Sequence, residues 1–482
     1  MRRRLLRSFP VALLACGIVL AFVGARRAVD HPVHYRITGQ ASIAETDERV
    51  LAPFTLERVM AKILDTADVR TTPRELWTQW WSTQAPGGGV KSATPHCDDE
   101  KSAKGAAVRN GFAIACPAQE SFLASIDPFD AQSRHGFIPI GIFNRFDLAP
   151  TDGSNCGEYR MVFAKRSGIS DANDRALAIF EAVMPNPHRE LGVEGCRPLA
   201  QFFAHQTDLE LDAEARSRNW ERFFFDGIGE FPAAFDAANF TRNGGRVRTN
   251  EFMFKTPGGM TLSQNWRMYQ FSLVRRCTGG ACELVMQPAL LSRTPMPSLL
   301  NDPSTRGQRF RIELATLLPQ LAEPDSNAFH FDNSAEFDAG QIATVDDFVQ
   351  LDPPATEFLR TELARIGSPL TPEQAARRLN VLTCGGCHET STRLGAFPDI
   401  GYGESWPLPS QGFVQVSEQL INKSGFRYGM SDALETKFVP HRVAVLENFL
   451  NHATPPAPGA FARVGSEGVA TNMTLGGPRR GD

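Results

Sequence analysis

Residues Asn380–Thr392 read NVLTCGGCHETST, and the interpretation of the chain turns on them. Cys384, Cys387 and His388 form a C-x-x-C-H run. Two thiols at this spacing can add to the two vinyl groups of a haem, and the next residue then offers an imidazole to the iron. Gly385 and Gly386 leave the backbone free to approach a flat ring. The expected cofactor is one covalently attached haem c, with thioether bonds at Cys384 and Cys387 and His388 as proximal ligand.

Three other uses of the spacing stay open. A redox-active dithiol normally opens a helix, whose N-terminus lowers the pKa of the first thiol. Here the pattern predicts that the motif closes a helix. Thr371-Pro372-Glu373-Gln374 is a capping box with proline at the first helical position, and Ala375, Leu379 and Leu382 share one side as far as about Thr383. A structural zinc needs two further ligands at compact spacing, and none follows closely. A Cys384–Cys387 disulfide would join residues too close in sequence to staple much.

Composition bounds the rest. The chain has 482 residues, 42% apolar and 22% charged, enough for a sizeable core and two to four domains. Its net charge is −4, and removing Arg2, Arg3, Arg4 and Arg7 with a leader takes it to −8. That balance argues against nucleic acid as a partner. Residues 1–25 read as a secretory signal: basic Arg2–Arg7, the mostly apolar run Phe9–Ala25, and Val23-Gly24-Ala25 before a cut at Arg26. An uncleaved anchor, or a lipid on Cys16, are the alternatives. Membrane contact is expected only through this segment, and localisation in the periplasm or cell envelope.

Export agrees with the cysteines. Setting aside Cys16 and the motif pair leaves Cys97, Cys116, Cys156, Cys196, Cys277 and Cys282, an even number suited to an oxidising compartment. Cys277 and Cys282 flank a Gly-Gly turn between strand-like runs and are the expected bridge. Cys97–Cys116 and Cys156–Cys196 take up the others.

Along the chain, Phe54–Asp65 and the capping-box segment from Thr72 read as amphipathic helices, the second carrying Trp77, Trp80 and Trp81 into a core. From Gly136 the period shortens. Phe137–Phe146, Glu158–Ala164 and Ala176–Val183 read as strands, as do Arg246–Phe254, Trp266–Arg276, Cys282–Leu291 and Gln308–Leu314. Arg189–Phe225 is largely helical in pattern. Residues 40–335 are therefore an α+β region with a mainly antiparallel sheet. Within its strands Arg145, Asp147, Glu158, Arg160, Arg248 and Glu251 interrupt apolar runs. Alternation sends such charges to solvent or into ion pairs under a loop; a polar site on one sheet face is the functional alternative. His205 and His330 are expected to be surface or hydrogen-bonded residues. Thr344–Leu351 reads as a short helix, and a domain boundary is expected near 335–355. Beyond it Phe358–Ile366, Thr371–Thr383, Gly412–Asn422 and Val439–His452 read as helices, and residues 453–482 as a disordered tail.

A helix ending in C-x-x-C-H, followed by loops and a closing amphipathic helix, resembles a class I cytochrome c domain over about residues 356–452. The rest is similar to the long N-terminal region of large uncharacterised exported bacterial proteins with one c-type haem motif. The resemblance implies an all-α haem domain after the α+β region. It also implies a distal methionine before the last helix, a place that Met430 occupies and for which His441 is the rival. The expected function is single-electron transfer with a redox partner protein, and no catalytic residue is assigned. The alternatives are a periplasmic haem-dependent oxidoreductase whose middle region is a substrate domain, with Arg145, Asp147, Arg160 and Glu251 converging in a pocket, or a non-haem envelope binding protein with a Cys384–Cys387 disulfide.

Overall fold

A computed structural model describes residues 34–87, 94–208, 211–255, 263–343, 346–393, 399–407, 415–421 and 425–452, with backbone alone at 253–255, 263–265 and 389–393. The expected signal segment 1–25, Cys16 and the tail 453–482 lie outside these residues.

Among the described residues, eight strands form one antiparallel sheet. They are β1 (Ala44–Glu45), β2 (Phe137–Arg145), β3 (Asn155–Lys165), β4 (Ala176–Pro185), β5 (Arg246–Lys255), β6 (Ser263–Thr278), β7 (Ala281–Ala289) and β8 (Ile342–Ala343). The order is β1-β2-β3-β4-β5-β6, and β6 pairs with both β7 and β8 along its other edge. Register explains the alternation in the sequence. Ile142, Met161, Phe180, Val247 and Phe271 stand opposite one another across five strands, forming a buried apolar row. The adjacent row, Phe143, Arg160, Glu181 and Arg246, faces the other way, because side chains alternate across a strand.

The apolar face is covered by helices from the first half of the chain. α1 (Leu56–Thr66) is capped by Thr55 and buries Leu56, Val59, Met60, Ile63 and Leu64, all from one stripe. α2 (Pro73–Ser82) starts at the Thr72–Glu75 capping box and buries all three tryptophans. Trp80 lies 6.0 Å from Phe180 and 5.9 Å from Phe271, and Trp77 lies 5.0 Å from Phe137, ring centre to ring centre. α3 (Arg197–Ala204) brings Phe203 within 5.0 Å of Tyr159. α4 (Ala213–Glu221) buries Trp220 beside it. Each such side chain contributes roughly 1.5–3 kcal/mol by leaving water, so this layer is the main core.

The polar-row face is covered by the C-terminal part of the chain. α9 (Val439–Asn451) sets Phe449 4.9 Å from Phe146. Glu418 takes the Arg175 guanidinium at 2.7 Å, with Ser417 also bonded to it. The described residues from Tyr35 onward form one compact unit.

This arrangement corrects the expected all-α cytochrome c-like domain. Residues 356–452 do contain α6 (Pro353–Arg365), α7 (Pro372–Leu382), α8 (Cys384–Arg393) and α9, but also two small antiparallel sheets. One pairs β9 (Asp399–Gly401) with β10 (Glu404–Ser405), the other β11 (Val416–Leu420) with β12 (Tyr428–Met430). The helix expected over Gly412–Asn422 is thus a strand at 416–420. Four apolar residues at helical spacing lost to cross-strand pairing, Val416 opposite Met430. Gln308–Leu314, read as a strand, lies in α5 (Thr305–Leu321), capped by Ser304 and burying Phe310, Leu314, Leu318 and Leu321. Residues 346–351 form no helix. Three disulfides join Cys97–Cys116, Cys156–Cys196 and Cys277–Cys282, as expected, and are compatible with an oxidising compartment. Among the described residues no helix is long and apolar enough to cross a membrane.

Candidate functional site

The motif opens a helix instead of closing one. α7 ends at Leu382, Thr383 is extended, and α8 begins at Cys384. The Thr383 hydroxyl accepts a hydrogen bond from the Gly386 backbone at 2.9 Å, the geometry of a helix N-cap. The glycines serve this junction. A Cβ on Gly386 would lie 1.8 Å from the Asn380 carbonyl oxygen, and one on Gly385 would lie 2.6 Å from that of Ala343 on β8. Cys384, Cys387 and His388 follow at i, i+3 and i+4, so the helix presents them on one face.

That face borders a cavity of about 210 Å³ that is partly open to solvent. Both thiols and the imidazole line it. Cys384 Sγ lies 3.6 Å from Thr294 Oγ1, and Cys387 Sγ accepts from Gln415 Nε2 at 3.4 Å. Burial, and then the neighbouring Cys384, push the Cys387 thiol up to about 12. Opening a helix would also suit a redox dithiol. The His388 ring stacks on Trp266, centroids 4.2 Å apart and planes 16° from parallel. The two motif cysteines are unpaired, whereas the other six described cysteines are bridged.

The sheet supplies the facing wall from its polar rows. Phe143, Val162, Leu177, Ile179 and Met268 make it apolar, and Arg145, Arg160 and Arg248 make it basic. Arg293 and, from α9, Arg442 add to this, while Glu181 is the carboxylate among the described lining residues. Glu181 lies 3.3 Å from both Arg160 and Arg248. Behind the wall Arg145 grips Asp147 through two nitrogens at 2.9–3.1 Å. Burial pushes the Asp147 carboxyl up, but Arg145 and Arg442 hold it below the usual range. Arg442 has weaker support. Its nearest described carboxylate oxygen is on Asp147 at 3.7 Å, and burial with repulsion from Arg145 pulls its pKa down to about 9. A buried guanidinium in that state favours an incoming anion, and Arg pairs with carboxylates bidentately.

The charged residues singled out in the sequence therefore divide. Arg145 and Arg160 line the cavity with the motif, and Asp147 lies buried behind Arg145. Glu251 projects from the opposite sheet face, accepting from the Tyr269 hydroxyl at 3.1 Å and the Glu120 backbone at 3.0 Å. Met430 is buried in the core opposite Val416, and Val416 lines the cavity while Met430 is not among its described lining residues. His441 is half-buried, its pKa lowered by burial, and is likewise not among those residues. His205 is exposed and pairs with Asp208. His330 joins the motif at the cavity, although no local pattern marks it. Sequence reading also missed Thr294, Gln415 and Trp266, which come from elements distant in the chain, and took Thr383 as the end of the preceding helix when it caps the next one.

These residues suit a flat, largely apolar ligand bearing carboxylates, with two thiols and an imidazole at one edge. In chemical type the lining therefore fits haem. Among the described residues there is no group of three or more His, Cys, Asp and Glu placed to hold a metal ion by themselves. No protein-family model, no curated protein and no solved structure matches the chain.

Proposed function

We propose that this is an exported c-type haem protein that transfers single electrons in the periplasm, with one haem tethered at Cys384 and Cys387 and His388 as its proximal ligand. The observation that carries this reading is one helical face presenting both thiols and the imidazole to a single, largely apolar, arginine-lined cavity. Haem, when bound, supplies a one-electron iron couple. The chain's own groups divide the remaining tasks. Cys384 and Cys387 would hold the ring through thioether bonds. Arg145, Arg248 and Arg442 line the cavity and would hold the propionates. Phe143, Val162 and Ile179 keep one side of the cavity apolar, which limits solvent reorganisation around the couple. The redox partner is another protein.

Expression with haem-attachment machinery tests it. Pyridine haemochrome that stays with the denatured chain is expected from the wild type and not from Cys384→Ser/Cys387→Ser. A wild-type chain that folds and carries no covalent haem under those conditions refutes the proposal.

A further inference from the structure

We infer that His330, which lines the same cavity as His388, supplies the second axial ligand to the iron. The inference rests on the haem reading above and concerns the place where the resemblance puts a methionine.

Among the described lining residues, imidazole comes from His388 and His330, and thioether sulfur from Met268. Neither Met430 nor His441 is in that set. Met268 is in the wrong place. It stands two residues from Trp266 on the same face of β6, and the His388 ring lies flat on Trp266. Met268 is itself buried in the apolar cluster that Phe252, Trp266 and Ile342 form in the sheet wall, with Cys384 packed against it. His330 comes from a separate element, the connection between α5 and β8.

The side chain is also in the form a metal requires. Its Nδ1 lies 3.0 Å from the Ala328 carbonyl oxygen, which calls for the proton on Nδ1 and leaves the lone pair on Nε2. This arrangement orients ligating histidines in general: one ring nitrogen donates to a carbonyl, the other binds. The backbone beneath it is held. The His330 amide donates to the Gln320 carbonyl at 3.2 Å. Phe329 and Phe331 on either side are buried, the first packed on Trp406 and the second on Phe310. A half-buried imidazole between two buried anchors loses little freedom on ligation. Two imidazoles give a lower reduction potential than imidazole with thioether, so the protein would sit at the reducing end of its exchange chain.

The test uses the full haem-loaded protein, with covalent haem measured by pyridine haemochrome and folding by circular dichroism. The wild type is expected to be low-spin in ferric absorption and electron paramagnetic resonance, without the long-wavelength sulfur-to-iron charge-transfer band. His330→Ala should retain covalent haem and fold but turn high-spin, and added imidazole should restore the low-spin spectrum. His330→Met should raise the midpoint potential. Met430→Ala and His441→Ala should leave the spectrum unchanged. A low-spin spectrum that survives in His330→Ala, its loss in either control variant, or a high-spin wild type overturns the assignment. Absence of covalent haem from the wild type instead refutes the haem reading itself, so the two failures are distinct.

Discussion

Replacing Arg442 by methionine should change stability in opposite directions with and without haem. The guanidinium is 7% exposed, and burial with repulsion from Arg145 takes its pKa to about 9. Relative to a usual value above 12, at ~1.4 kcal/mol per unit, holding it charged at neutral pH costs on the order of 5 kcal/mol. Methionine removes that cost and forfeits the weak 3.7 Å attraction to Asp147, which keeps its two-nitrogen grip from Arg145. Replacing a buried charge by an apolar group of similar size typically gains ~1–4 kcal/mol. The haem-free Cys384→Ser/Cys387→Ser protein should therefore become more stable by ~2 kcal/mol with Arg442→Met. The haem-loaded protein should lose stability, because a propionate then lacks its cation. Urea midpoints of the four proteins measure both differences. The sign with pH is also set. The folded pKa is depressed, so wild-type stability rises with pH between about 9 and the unfolded value, and the advantage of methionine shrinks there. Destabilisation by the same amount in both forms would refute the assignment of Arg442 as a cation awaiting an anion.

Three further outcomes are expected. Thr383→Ala removes the cap on α8 and should cost ~1 kcal/mol, while Gly386→Ala drives a Cβ into the Asn380 carbonyl and should cost ~3 kcal/mol; both should lower covalent haem per chain, and full loading of Gly386→Ala would contradict the close packing of the motif. Glu120, 2.5 Å from the buried Lys165, has its pKa raised by burial to about 7. Its contribution is thus complete below the unfolded carboxylate pKa and is lost as pH rises through about 7, a swing of ~3 kcal/mol. Glu120→Gln should flatten that part of the stability curve in urea titrations, and a wild-type slope left intact would count against it. Trp80→Ala, from a site with no exposure, should cost ~3–5 kcal/mol; a loss below ~1 kcal/mol in chemical denaturation would mean that the tryptophan layer is not the core.

Local chemistry was readable from residue order. The Thr72–Glu75 and Thr371–Gln374 capping boxes start α2 and α7 because the interacting groups are three residues apart. Short apolar runs bounded by turn residues placed six strands of the sheet and misplaced one at Gln308–Leu314, and the even cysteine count and turn chemistry agreed with the bridges found. The C-x-x-C-H run marked the candidate site because its spacing is itself the chemical requirement. Tertiary structure decided everything that depends on what covers a face. Alternation puts Arg160 and Arg248 on one side of the sheet but leaves open whether solvent or another segment meets that side. The covering segment is α7–α9, some 200 residues later, and it converts a charged sheet face into a cavity wall. The same holds for His330 and Trp266, whose proximity to His388 follows from folding and from no local period. It holds too for β11, where pairing with β12 outweighed a helical pattern that residues 412–422 satisfied by themselves. Short-range hydrogen bonding and steric rules act within a few residues and are written in the sequence. Burial and cross-strand pairing act between distant residues and exist only once the chain has closed on itself.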